Sequence, residues 1–198
     1  IIDGAIDPMW NDFESIVLTH FLFGDPTDEN DFSVWYKIVW DTENIYVLIN
    51  VTDESQVFDS EDIWQDDAIE IYFDINNDKL DYYGADDYQY FFRWNEETIN
   101  TLAPTQNMAF KMEASATGYI LEVKFPWETL GLVKAEPGVL LGFDLHVHDD
   151  DDGGDRDSKL AWYTTDDNSW QYPYLFATAK LVGEIVELYP AEKPTISA

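Results

Sequence analysis

The chain predicts an all-β fold: an antiparallel β-sandwich with jelly-roll or immunoglobulin-like layers and minimal helix. Three observations carry this expectation. Alternation of apolar and polar residues with period two recurs in five segments. Turn-forming residues separate those segments. Helical periodicity is confined to residues 8–16 and 126–132, and both stretches are brief. Half-buried strands with short connections pack as two antiparallel layers.

The elements follow in order. DGAIDPMW near the start lays a strand or turn at one edge. SVWYKIVWD (33–41) and NIYVLINVTD (44–53) meet at TEN and read as a hairpin. In the second of these, Ile45, Val47, Ile49 and Val51 share a face. In residues 67–74, Ile69, Ile71 and Phe73 point one way, and Glu70, Tyr72 and Asp74 the other. In 87–95, Tyr90, Phe92 and Trp94 oppose Gln89, Phe91 and Arg93. In 118–126, Tyr119, Leu121, Val123 and Phe125 alternate with Ile120, Glu122 and Lys124. In 141–149, Phe143, Leu145 and Val147 alternate with Asp144, His146 and His148.

The bulk numbers bound the class. A chain of 198 residues, 45% hydrophobic and 16% aromatic, is enough for one packed domain. The expectation is a single module over 1–186 and a tail or linker over 187–198. Net charge is −31, from 41 acidic and 10 basic residues. Phosphate contacts need basic patches, so nucleic acid and an anionic membrane surface are excluded as partners. No signal peptide or membrane span is visible. An extracellular, periplasmic or cell-surface location is expected, with any leader already removed. The absence of cysteine removes disulfides, thiolate zinc sites and cysteine nucleophiles.

Two of the eight tryptophans stand apart. Trp64 lies in EDIWQDDAIEIYFD and Trp170 in TTDDNSWQYPYLF. A packed core does not need its largest apolar side chains flanked by Asp, Asn and Ser. A pyranose does, because it shows C–H faces to an aromatic plane and hydroxyls to acids and amides at its rim. Trp10, Trp35, Trp40, Trp94, Trp127 and Trp162 read as ordinary packing. If three of the strands neighbour each other, Glu70, Arg93 with Gln89, and His146 with His148 form a polar floor between Trp64 and Trp170. Glu70 then accepts from vicinal hydroxyls and Arg93 donates to them. The bland alternatives are a cross-strand Glu70–Arg93 ion pair and two surface histidines.

A second constellation is acidic. DINNDKLDYYGADD places oxygen ligands at Asp74, Asn76 and Asp78, and HDDDDGGDRD concentrates six acids around a glycine pair, beginning with Asp149. Asp53 closes a strand. Crowded carboxylates repel, and calcium takes 6–8 oxygen ligands, so at least one structural calcium is expected. The 74–78 stretch lacks the later glycine and closing glutamate of an EF-hand. A solvated acidic loop is the competing reading.

Catalysis finds little support. No GxSxG elbow, Ser/His/Asp triad or phosphate-cradling glycine loop is present. Carboxylate pairs are too numerous to inform. Three rivals to sugar binding stay open. One is a haem-binding redox sandwich using His146, His148, Met9 or Met108, although no CxxCH occurs. Another is a hydrolase of plant polysaccharide acting through Glu70. The last is a calcium-dependent adhesion domain without a sugar site.

The blocks IDGAIDPMW, VWDTENIYVLINVTD, WQDDAIEIYFDINND, GYILEVKFPWETLG and LLGFDLHVHDDDDGGDRDSKLAWYTTDDNSWQYPYLFATAKL resemble carbohydrate-binding module family 9, in family order and over almost the whole chain. The resemblance implies a calcium-bearing, DOMON-like β-sandwich without catalytic activity. It implies gluco- or xylo-configured sugars, often glycan chain ends, held between two tryptophans that Trp64 and Trp170 match. Glu70 matches the family's sugar-binding glutamate. Asp167 stands where a member of the family has asparagine, and His146 where it has glutamine. The family's arginine position falls on Phe91, and Arg93, two residues on and on the same strand face, takes its role. Asp53, Asp74 and Asp149 occupy calcium positions by loop placement. The implied partner is a plant-type polysaccharide or oligosaccharide, bound by a monomer appended to a glycoside hydrolase or surface protein.

Overall fold

Eleven strands, all paired antiparallel, build two sheets in the computed structural model, which describes residues 1–183. They are β1 (Ile16–Val17), β2 (His20–Phe23), β3 (Phe32–Trp40), β4 (Asn44–Asp53), β5 (Ala68–Asp74), β6 (Asp87–Arg93), β7 (Ala109–Ala114), β8 (Gly118–Pro126), β9 (Leu140–Asp149), β10 (Ser158–Ala161) and β11 (Ala177–Lys180). The first sheet runs β1-β3-β4-β8-β7. The second runs β2-β10-β9-β5-β6, with β11 beside the first half of β9. The expected all-β sandwich is the fold. The boundary at 186 and the tail at 187–198 lie outside the described residues.

The core is the apolar parity of the inner strands. Val47, Ile49 and Val51 of β4 and Leu121, Val123 and Phe125 of β8 line one layer. Ile69, Ile71 and Phe73 of β5 and Phe143, Leu145 and Val147 of β9 line the other. Phe73 joins the layers, 5.1 Å from Phe125 and 5.5 Å from Phe143 between ring centres. Each such side chain contributes about 1.5–3 kcal/mol by leaving water, so Phe73→Ala costs about 3–5 kcal/mol.

Two expectations change. The stretch 8–16 holds only a single 3-10 turn, Pro8–Asp12, with no side-chain cap. The turn lies on the outer face of the first sheet, where buried Trp10 packs with Val39, Leu48 and Ile120, and Ile16 then opens β1, the edge strand of that sheet. Trp10 Nε1 donates to Glu122 and Lys37 Nζ donates to Trp10 O, so its placement is tertiary. The stretch 126–132 is a run of turns that starts on Pro126 O, not a helix. Neither stretch carries enough turns to sustain the helix ladder.

β5 and β9 are buried on both faces over nearly their whole length. The polar parity of β5 and β9 therefore faces no bulk water. Loops 54–67 and 162–176 cover it, and this is where the site forms.

Candidate functional site

Trp64 lies in the loop between β4 and β5, 49% exposed, and Trp170 in the loop between β10 and β11, 55% exposed. Neither is core. Each loop is fastened to the second sheet by specific bonds. Arg93 binds Asp66 and donates to Ser60 O, and its guanidinium lies 4.1 Å from the Phe58 ring centre. Val57 N donates to Asp67, which sits at the foot of β5. The other loop hangs on Asp144, which accepts from the backbone N of Tyr163 and Thr164 at 3.2 Å each. Tyr83 donates to Ser169 O at 2.8 Å, directly before Trp170.

Register sets the floor. Glu70 stands opposite His146 of β9 and Phe91 of β6, and Ala68 opposite His148 and Arg93. Lys159 of β10 stands opposite His148. Glu70 Oε2 is within 3.1 Å of Lys159 Nζ, 3.3 Å of His148 Nε2 and 3.5 Å of His146 Nδ1, and accepts from Tyr72 OH. Its Oε1 accepts from Gln89 Nε2 at 3.1 Å. Burial pushes the Glu70 carboxyl up, but Lys159 and the two histidines outweigh it and hold it well below the usual range. An ionised acceptor thus lies between the two tryptophan loops.

One network ties those loops together. Lys159 Nζ reaches Asp167 Oδ1 at 2.7 Å, and Arg156 Nη2 reaches Asp167 Oδ2 at 3.2 Å. Arg156 Nη1 lies 3.1 Å from His148 Nδ1, which is also 3.0 Å from Trp64 O. Burial and Lys159 lower His148 to about 4, so it is neutral. Of the two partners at Nδ1, Arg156 can only donate and Trp64 O can only accept, so the two contacts call for opposite tautomers.

The site residues expected from sequence thus divide. Trp64 O, Glu70 and Asp167 are linked through His148 and Lys159, and Trp170 stands half-exposed three residues beyond Asp167 in the same loop. Arg93 does not join them: it bonds Asp66, not Glu70, and anchors loop 54–67. The cations at the floor are Lys159 and Arg156; sequence reasoning missed Lys159 because β10 has only four residues and no clear alternation, and Arg156 because it stands in the acidic loop before that strand. His146 is fully buried beneath Glu70 and Tyr72, so it presents no nitrogen to a ligand. It sits between Glu70 and Asp144, 3.5 and 3.6 Å away. Burial lowers its pKa, and those two acids outweigh this and raise it.

The acids divide as well. Asp53 and Asp149 meet Asp67, each offering a carboxylate oxygen within 4.8 Å of the others, and all three are buried. Asp53 Oδ2, Asp67 Oδ1 and Asp149 Oδ1 have no hydrogen-bond partner among the described residues. Burial, with Asp53 beside it, pushes Asp67 up to about 10, and burial pushes Asp149 up to about 8. An all-oxygen, uncompensated pocket of this kind fits a hard divalent cation. Asp67 went unread because it sits in a dipeptide of acids before a strand, a common surface pattern. Asp74 and Asp78 belong to no such group among the described residues. Asp74 caps its own turn, accepting from Asp78 N at 3.3 Å and Lys79 N at 3.1 Å, and Asp78 accepts from Asn76. The haem reading fails on placement. Met9 packs on the first sheet's outer face and Met108 against the main core, while His146 and His148 are engaged by carboxylates.

Exposed indoles around an ionised, hydrogen-bonding floor on a β-sandwich define a sugar-binding module. The chain belongs to the carbohydrate family 9 binding domain-like family, whose model matches residues 2–184. It is a non-catalytic carbohydrate-binding module. It is 34% identical over 187 residues to an exoglucanase, XynX, of Acetivibrio thermocellus, covering 93% of this chain and 16% of that protein. It is 32% identical over 183 residues to endo-1,4-beta-xylanase A of Thermotoga neapolitana, covering 92% and 17%. The chain thus spans about a sixth of the length of these relatives. A family 9 module of Caldicellulosiruptor kristjanssonii in complex with glucose superposes with a TM-score of 0.83 at 26% identity, covering 96% of this chain and 95% of that one.

Proposed function

We propose that the module holds a neutral gluco- or xylo-configured sugar, or a glycan chain end, between Trp64 and Trp170. The observation that carries this reading is the pair of half-exposed indoles on loops tied to one another through His148, Arg156 and Asp167, above an ionised Glu70. The indole faces take the C–H faces of the ring. Glu70 and Asp167 accept from hydroxyls, and Gln89 and Arg156 donate. Preorganised partners select the epimer, while the small wet ligand keeps affinity modest. Calorimetry with glucose, cellobiose and xylobiose tests this. Heat from at least one sugar, lost in Trp170→Ala, is expected; no heat from any of them overturns it.

Calcium at Asp53, Asp67 and Asp149 is part of the same proposal. These residues end β4, precede β5 and end β9, so a cation there joins the two sheets below the Trp64 loop. Its chemistry is charge neutralisation and rigidity, with no part in bond breaking. The whole protein is proposed to be a secreted polysaccharide-degrading enzyme or surface protein in which this monomeric module delivers the chain to plant polysaccharide.

A further inference from the structure

The outer face of the second sheet does not end at the tryptophans. Its edge strand β2 presents Phe21 and Phe23, 50% and 40% exposed, while His20 and Leu22 are half-buried. Phe23 stands in register with Lys159, and Lys159 with His148, so these three share a face; the register shifts after Phe23, and the exposed Phe21 stands opposite the core residue Leu160. Arg156 joins this region to the slot. Its guanidinium carbon is 5.1 Å from the Phe23 ring centre, while its nitrogens reach His148 and Asp167 at 3.1 and 3.2 Å.

Folding does not require two phenylalanines in water, and an apolar edge strand invites aggregation. We propose that Phe23 and Phe21 form an aromatic ledge for further pyranose rings of a glycan whose first ring occupies the tryptophan slot; the proposal rests on that slot reading. From β5 to β2 is three strand spacings, roughly 14 Å at about 4.8 Å each. That distance is beyond one ring and within reach of a short oligosaccharide. Arg156 lies between, stacked on Phe23, with N–H groups able to meet hydroxyls on the way. A second copy of the chain is the poorer occupant. Two phenylalanines beside an Arg–Asp pair and a lysine fall short of the roughly 800 Å² per partner of a stable protein interface.

Calorimetry with glucose and cellotriose on the wild type, Phe23→Ala, Phe21→Ala and Phe23→Trp tests the ledge, with circular-dichroism melting to verify folding. Glucose affinity is expected to stay within about twofold in all four. Cellotriose affinity is expected to fall about five- to tenfold in Phe23→Ala and to rise in Phe23→Trp. If the wild type binds neither sugar, the slot reading falls and the ledge with it. If glucose binds and the folded variants take cellotriose as the wild type does, the ledge alone falls. A wild-type dimer that Phe23→Ala renders monomeric also overturns it, because the phenylalanines then join two copies.

Discussion

Lys159 Nζ and Asp167 Oδ1 meet at 2.7 Å where the sheet floor joins the loop that carries Trp170. The same ammonium touches Glu70 Oε2 at 3.1 Å. One buried cation therefore connects the floor acid to the loop acid, and the tryptophan loop is held at a set height above the sheet. Lys159→Met leaves Glu70 buried without its main counter-charge. A loss of about 3–5 kcal/mol in urea denaturation is expected, together with weaker sugar binding. A variant as stable as the wild type would mean that the pair does not organise the site.

The tryptophans themselves cost little to remove. Both are about half in water, so Trp64→Ala and Trp170→Ala are expected to change stability by less than about 0.5 kcal/mol. Each is expected to abolish measurable sugar heat in calorimetry. Loss of folding in either would mark that indole as packing.

Arg93→Ala separates anchoring from contact. Removing the guanidinium strands Asp66 in a buried place and frees Ser60 O, and a cost of about 3–5 kcal/mol is expected. Sugar affinity falls as well, because Trp64 loses its fastening. Glu70→Gln, by contrast, keeps the shape and is expected to weaken sugar binding more than tenfold, or by more than about 1.4 kcal/mol.

The cation pocket gives a pH signature. Asp67 and Asp149 are raised to about 10 and about 8 when folded, against about 3.9 unfolded. In chelator the folded protein then holds protons that the unfolded chain has released. Stability is greatest toward the acid end of that window and falls as pH rises through it, so Tm is expected to drop from about pH 5.5 to about pH 8.5. Glu70, held low, contributes the opposite slope only below about pH 4.3. Calcium substitutes for the protons and is expected to raise Tm most at the alkaline end. Asp67→Asn should remove the calcium response and Asp78→Asn should leave it; differential scanning fluorimetry reads both.

Local pattern by itself determined much of this protein. Strand alternation is a property of successive residues, so the long strands β4, β5, β8 and β9 and their inner faces were legible. So were Trp64 and Trp170, whose polar flanks are incompatible with core packing. Only the tertiary structure decided which charges meet. Arg93 and Glu70 share a strand face in the pattern, yet register sets Arg93 against Ala68 and Phe91 against Glu70. The cation at the floor comes instead from β10, far along the chain, and Asp67 joins Asp53 and Asp149 only because three strand ends close on one another. Faces follow from a period of two residues, whereas partners depend on strand order and on loops folding back, which no short stretch of sequence encodes.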